Sequence, residues 1–247
     1  MIFKTYTVVF EGVEARCIEV QCALSAGLPG FSIVGLPNKA VSEARDRVRS
    51  ALASMSIALP SKRITVNLSP ADLPKDGSHF DLPIALALMA AIGVIAQDAC
   101  ENTVSLGELS LDGALVPVRG ALPAAVTAAG SDRLLICPRA CGPEAAWVAT
   151  AQVIGADSLW DIIQHFNGQK PIPAAQAGDI EAPIILGDLC DIKGQERGKR
   201  ALEIAVAGRH HLFLVGTPGC GKSILAKRSL GLLPPLTPTQ ALETSMI

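Results

Sequence analysis

One stretch constrains this chain more than any other. His210-His211-Leu212-Phe213-Leu214-Val215 is an apolar run that reads as a buried strand. Gly216-Thr217-Pro218-Gly219-Cys220-Gly221-Lys222-Ser223 interrupts it, and Ile224-Leu225-Ala226-Lys227-Arg228 restarts as a helix. The interruption fits G-x-x-x-x-G-K-[ST], a phosphate-binding loop. Glycine dihedrals let successive backbone N–H groups converge on one point, and that point faces the positive end of the following helix. Lys222 supplies a mobile positive charge for the outer phosphates, and the Ser223 hydroxyl can hold Mg²⁺. The stretch therefore predicts a site for a nucleoside triphosphate.

Around it, 247 residues allow one large domain or two small ones. With 49% hydrophobic and 18% charged residues, the chain has ample apolar material for a core, which argues against disorder. The net charge is −2; up to residue 175 there are 13 basic and 16 acidic side chains, and beyond it 8 and 7. Neither part is a polybasic module, so any contact with DNA has to be local or to depend on assembly. Seven cysteines (17, 22, 100, 137, 141, 190 and 220) form no C-x-x-C pair. They read as small buried hydrophobes in a reducing cytoplasm, with no leader segment. The uncharged run from Leu82 to Gln97 is 16 residues long and contains Pro83. It is shorter than a membrane span of about 20 and reads as a buried helix.

In chain order, alternating apolar residues flanking Glu11-Gly12, with Val13 counted in the returning strand, predict a hairpin. Phe31 to Val34 is a short strand. A helix capped by Asn38 follows, with Val41, Ala44, Val48, Ala51, Leu52 and Met55 on one face. Arg45, Arg47 and Arg49, interleaved with Glu43 and Asp46, read as its solvated side. Arg63 to Leu68 is a strand, and the polar loop after it runs into the helix from Leu82 with Asp81 as N-cap. Ser78, His79, Asp76 and Asp81 are neighbours in sequence, but adjacency does not make a catalytic triad. Val104–Leu106 and Ala114–Val118 are joined across Asp112-Gly113 as a hairpin. Helices over 122–129, 143–149 and 159–166 alternate with strands at 133–137 and 152–154. The layout is α+β on one sheet. Asn167 to Pro183 is rich in Pro, Gly and Ala and reads as a linker. A helix over 196–207, ended by Gly208 and packing through Ala201, Ile204 and Ala205, precedes the phosphate loop.

Several separate stretches agree on a family. Ile192-Lys193-Gly194-Gln195-Glu196 with Lys199 to Ala205, then Gly216 to Ser223, then Gly231-Leu232-Leu233-Pro234-Pro235-Leu236, resembles the opening of the AAA+ module of the Mg-chelatase-like ATPases. Asn67 to Lys75, Phe80 to Leu86, and Gly35-Leu36-Pro37 with Ala44 to Val48 resemble the N-terminal domain of the ComM/YifB group of those proteins. The resemblance implies an α+β domain similar to the proteolytic domain of Lon-type proteases over 1–167, a linker over 168–184, and a truncated α/β P-loop module over 185–247. It implies ATP and Mg²⁺ as cofactors, held by Gly216, Thr217, Pro218, Gly219, Cys220, Gly221, Lys222 and Ser223, with Ile192 and Gln195 by the adenine. It further implies a cytoplasmic, ring-forming homo-oligomer that remodels DNA in natural transformation by branch migration, with no membrane partner.

Two departures qualify this. Asp81 stands where a Lon-type serine would align, and Pro123 near the activating lysine, so peptidase activity is not expected. The acidic-ended strand, sensor residue and arginine finger of the motor find no counterpart before Ile247. Phosphoryl transfer needs all of them, so the loop alone should bind weakly and hydrolyse almost nothing. Three readings stay open: a DNA-remodelling motor, a metal-chelatase-type insertion subunit, and a non-enzymatic remnant whose front domain only mediates interactions.

Overall fold

Alternation at the start of the chain folds as a long hairpin, because each strand can bury every second side chain against the core. Strands β1 (Ile2–Glu11) and β2 (Glu14–Ser25) pair antiparallel, with Ile2 opposite Ala23 and Glu11 opposite Glu14. This computed structural model describes residues 2–12, 14–179, 187–234, 236 and 238–245. Val13, counted with the hairpin, lies outside them. The chain divides into two compact units, one built on Met1–Gly178 and the other on Asp179–Ala241.

In the first unit β3 (Gly30–Val34), α1 (Lys39–Ser54), β4 (Arg63–Ser69), α2 (Asp81–Ala91), α3 (Gln97–Glu101) and β5 (Thr103–Ser105) follow the hairpin. Then come β6 (Glu108–Leu109), β7 (Leu115–Val116), α4 (Ala121–Gly130), β8 (Leu134–Pro138), α5 (Gly142–Ala145), β9 (Val153–Ala156) and α6 (Leu159–Phe166). The fold is mixed α/β around one sheet of seven strands in the order β3-β4-β2-β1-β5-β8-β9. Only the β1–β2 and β2–β4 pairs are antiparallel; the others are parallel. The turn at Asp112-Gly113 closes β6 onto β7, not the strand at 104–106 onto 114–118. β5 is drawn instead into the main sheet, parallel to β1 and β8, where both its faces are covered.

Successive residues send their side chains to opposite faces of this sheet. Val9, Ile136 and Ile154 join β2, β4, α1 and α2 in one core, while Val8, Leu135, Cys137 and Val153 join α4 in the other. Helix α1 buries Val41, Ala44, Val48, Ala51 and Leu52, and Asn38 Oδ1 accepts from the Val41 N–H as cap. Helix α2 is buried on every side from Asp81 to Ala90. Each fully buried Leu or Ile there contributes about 1.5–3 kcal/mol. Among the described residues no helix is long and apolar enough to cross a membrane.

Of the seven free cysteines, Cys22, Cys100, Cys137 and Cys141 are buried, and burial pushes the first three up to about 12. Cys17 and Cys190 are exposed and Cys220 is half-buried, so only four are core hydrophobes. The segment read as a linker is hydrogen-bonded as far as Gly178. The Ala175 N–H donates to Val153 O at 2.8 Å and Trp147 Nε1–H to Gly178 O at 3.1 Å, beside an antiparallel bridge from Ala174 to Ile154. The linker residues 180–184 lie outside the described residues.

In the second unit α7 (Glu196–Ala207) and α8 (Lys222–Arg228) pack through Leu202, Ala205 and Leu225; α9 (Pro238–Ser245) comes last in the chain and is divided between the two units. A Cβ on Gly198 would meet Leu225 Cδ1 at 3.0 Å, so that glycine permits the close approach of the two helices. The buried face of α7 is therefore Leu202 and Ala205; Ile204, read as part of it, is 52% exposed. No strand occurs among the described residues 187–245. The run 210–215, read as a buried strand, has no ladder partner there, and Phe213 is 89% exposed. An apolar run becomes a strand only when a neighbour takes up its amides and carbonyls.

Candidate functional site

The phosphate-loop residues form a tight turn ahead of a helix. Gly219 (φ 82°) and Gly221 (φ 88°) lie in the left-handed region, although a Cβ at either would meet nothing within 4 Å. Dihedral freedom, not space, requires glycine at both. Helix α8 begins at Lys222 with no side-chain cap. Its first main-chain bond from outside the helix is Leu225 N–H to Gly221 O, and the N–H groups of Gly219, Gly221, Lys222 and Ser223 meet no acceptor among the described residues. The first-turn amides of a helix are available in this way to an anion. The last turn carries Lys227 and Arg228, the favourable sign for its dipole.

Lys222 Nζ donates to Gly216 O and Thr217 O, both at 2.7 Å, and lies 3.5 Å from Cys220 Sγ. The ammonium thus rests on the rim of the turn. A Cβ at Gly216 would come within 2.7 Å of Cys220 Sγ, so a larger residue there would displace the Cys220 side chain. The Ser223 hydroxyl has no partner among the described residues and is exposed. This donor set fits a triphosphate with a bound cation: unpaired amides, one mobile cation and one free hydroxyl.

Of the two residues read as lying by a base, Gln195 is joined to the loop. Its backbone is left-handed (φ 59°) and its Nε2 donates to Cys220 O at 3.0 Å. Ile192 is half-buried, and its N–H donates to Leu189 O. Arg228 Nη2, 3.5 Å from Asp191 Oδ2, ties α8 to the turn before Ile192.

The polar cluster of the first unit is arranged differently from its sequence. Asp81 is not an N-cap. A 3₁₀ turn over Ser78–Phe80 runs directly into α2, and Asp81 sits inside the helix at φ −60°. Its carboxylate accepts a fork from Arg47, Nε at 2.6 Å and Nη2 at 2.9 Å, and a third bond from the Leu109 N–H at 3.0 Å. Burial raises the Asp81 pKa, while Arg47 and Leu109 oppose the rise. Arg47 is therefore no solvated side chain, although Arg45 and Arg49 are exposed. Sequence offers a faint signal for the pair: one arginine four residues from Glu43 on a helix whose other face is apolar. His79 is buried with Nε2 on Val8 O at 2.9 Å, and no hydrogen bond joins it to Ser78.

A turn with the G-x-x-x-x-G-K-[ST] pattern ahead of a helix, in a chain that also carries a mixed α/β domain, defines the class. The Mg-chelatase subunit ChlI family matches twice, by "Subunit ChlI of Mg-chelatase" over residues 18–140 and "Magnesium chelatase, subunit ChlI" over 188–247. The competence protein ComM of Haemophilus influenzae is 44% identical over 96% of this chain and 47% of its own length. YifB of Salmonella typhimurium is 43% identical, again over 96% and 47%. An uncharacterized protein of Mycobacterium bovis is 39% identical over 99% of this chain and 49% of its own length. The chain belongs to the ComM/YifB group of Mg-chelatase-like proteins. It spans about half the length of the curated relatives it matches.

Proposed function

We propose that residues 185–247 are the nucleotide-binding opening of an AAA+ motor module, joined by residues 168–184 to a domain over 1–167 of the Lon proteolytic type. The single observation carrying this is the turn at Gly216–Ser223. It sets two left-handed glycines before an uncapped helix start, with the Lys222 ammonium on the carbonyls of Gly216 and Thr217. In this reading the free amides of Gly219, Gly221, Lys222 and Ser223 receive the phosphates of ATP. Lys222 exchanges the carbonyls of Gly216 and Thr217 for phosphate oxygens, which bind an ammonium more strongly because they are charged. Thr217, Pro218 and Cys220 shape the turn, and the Ser223 hydroxyl would hold Mg²⁺. Gln195 and Ile192 would flank the base. Bound Mg²⁺ supplies charge neutralisation of the β- and γ-phosphates.

The full protein, on this reading, is a cytoplasmic homo-oligomeric ring that remodels DNA. The support is membership of a group that includes a protein named for competence. The front domain is read as non-proteolytic, because Asp81 is locked by Arg47 and Leu109 and Pro123 has no amine. Titration of the chain with a fluorescent ATP analogue and Mg²⁺ tests the loop. Lys222→Ala is expected to weaken binding at least about tenfold, the loss of one charge-assisted contact. Equal affinity in the variant would remove the loop from the site.

A further inference from the structure

The cavity of the first unit, about 500 Å³, lies between β1, the loop that precedes α2 and the loop that precedes α4. That volume is within the range of small-ligand pockets. Two glycines give it its form. A Cβ on Gly77 (φ 109°) would strike His79 Nδ1 at 2.7 Å, and one on Gly120 (φ 91°) would strike Phe10 Cζ at 2.3 Å. The loops thus close directly onto the two rings, whose centroids are 5.2 Å apart.

Its polar groups are mostly unspent. His79 is 5% exposed and lines the cavity. A backbone carbonyl can only accept, so Nε2, 2.9 Å from Val8 O, carries the proton. Nδ1 is then a lone pair, and it has no partner among the described residues. The N–H groups of Ser78 and His79 meet no acceptor among those residues. Among the described residues the Ser78 hydroxyl and the exposed Arg119 guanidinium likewise have no partner. Three kinds of donor, one of them charged, and two side-chain acceptors, His79 Nδ1 and the Asp76 carboxylate, line the cavity with the apolar Val9, Phe10 and Val118.

A ligand complementary to this set has a carboxylate for Arg119 and the amides, an apolar side chain, and an N–H beside the carboxylate for Nδ1. The strand edge adds a place for more chain. Among the described residues β1 pairs with β5 only through Tyr6 and Val104. Val8 O is already taken by His79, and by the two-residue alternation of a strand Phe10 presents its backbone along the same edge. One group opposes an anion: Asp76 lines the cavity, its carboxylate accepting from Asn38 Nδ2.

We propose that this cavity captures the C-terminal residue of a polypeptide, carboxylate toward Arg119 and the Ser78–His79 amides, apolar side chain against Phe10 and Val118. Free N-acyl amino acids share that chemistry, so the test separates the two sources. Amide resonances of the ¹⁵N-labelled full chain are followed during titration with N-acetyl-leucine, N-acetyl-leucinamide and N-acetyl-alanyl-alanyl-leucine, each to about 20 mM, a range that reaches weak ligands. The acid should shift the Ser78 and His79 amides saturably, and the carboxamide should bind at least about tenfold more weakly. Arg119→Gln, at an exposed position, should weaken the acid about tenfold and leave the carboxamide unchanged. Asp76→Asn should tighten the acid by removing a like charge. The tripeptide should bind more tightly than N-acetyl-leucine. Equal binding of acid and carboxamide, or no shift at Ser78 and His79 in either the native chain or Asp76→Asn, overturns the site. A tripeptide no tighter than N-acetyl-leucine overturns its assignment to a chain end.

Discussion

The two units differ in what holds them. Among the described residues, the buried apolar side chains of the second unit are Leu202, Ala205 and Leu225, whereas the first buries apolar side chains on both faces of a sheet. Yet the second unit carries the clearest chemical signature in the chain. A phosphate loop is a local object: glycine dihedrals, one lysine and a helix start assemble it with little help from a core. The polar groups of the first unit are the opposite case. Arg47 and Asp81, 34 positions apart, meet only because α1 and α2 pack on the same face.

The sharpest way to break this contrast is Asp81→Ala. It strands the Arg47 guanidinium, only partly exposed, and leaves the Leu109 amide without an acceptor. Losing one partner of a buried pair costs about 3–5 kcal/mol. Both tryptophans, Trp147 and Trp160, lie in the first unit, so denaturation followed by their fluorescence reads that unit alone. A loss below about 1 kcal/mol, the range of exposed pairs, would show that the ion pair is peripheral.

Gly35→Ala should come next. A Cβ there would lie 2.2 Å from Leu68 O, a backbone atom that cannot swing away. Overpacking of that kind costs about 1–3 kcal/mol or more. Gly221→Ala meets no atom within 4 Å and pays only for its left-handed dihedral, about 1–2 kcal/mol. That cost should appear as weakened binding of the ATP analogue, with the tryptophan-monitored transition unmoved. A shift of that transition by either Gly221→Ala or Lys222→Ala would mean that the two units do not unfold independently.

The smallest expected effect is acid lability of the first unit. Burial lowers the pKa of His79, with its bond to Val8 O opposing the shift. The unfolded chain therefore binds a proton more readily, at the ordinary value of about 6.5. The stability linked to His79 is present above that pH and is lost as pH falls toward the lower folded value. His79→Gln should flatten this part of the stability profile as pH falls below about 6.5. An unchanged slope would show that His79 does not titrate on unfolding. His165, whose pKa is also lowered by burial, contributes in the same direction and is the natural comparison.

Local order was readable along the chain wherever periodicity and short-range chemistry decide it. The β1–β2 hairpin, the Asn38 cap and the apolar face of α1 follow from alternation, one side-chain oxygen and helical spacing. So does α2, where an uncharged run has nowhere to go but a core. The readings that needed correction all depended on distant partners. Asp81 looked like a cap because caps are the commonest use of an aspartate before a helix; a buried arginine on another helix claimed it instead. The hairpin at Asp112-Gly113 formed with different strands because β5 had a better place between β1 and β8. The 210–215 run had the composition of a strand, but no neighbour among the described residues of its unit takes up its amides.

By itself, then, the order of residues determined the glycine turn over 216–223, the helix behind it and the position of Lys222, because dihedral limits and helix starts act over a few residues. Tertiary structure alone decided that Arg47 neutralises Asp81, that His79 turns its ring toward Val8 and a cavity, and that Ala174 and Ala175 lie along β9. Those outcomes rest on which surfaces pack together, and packing joins residues whose separation along the chain carries no information about their distance in space.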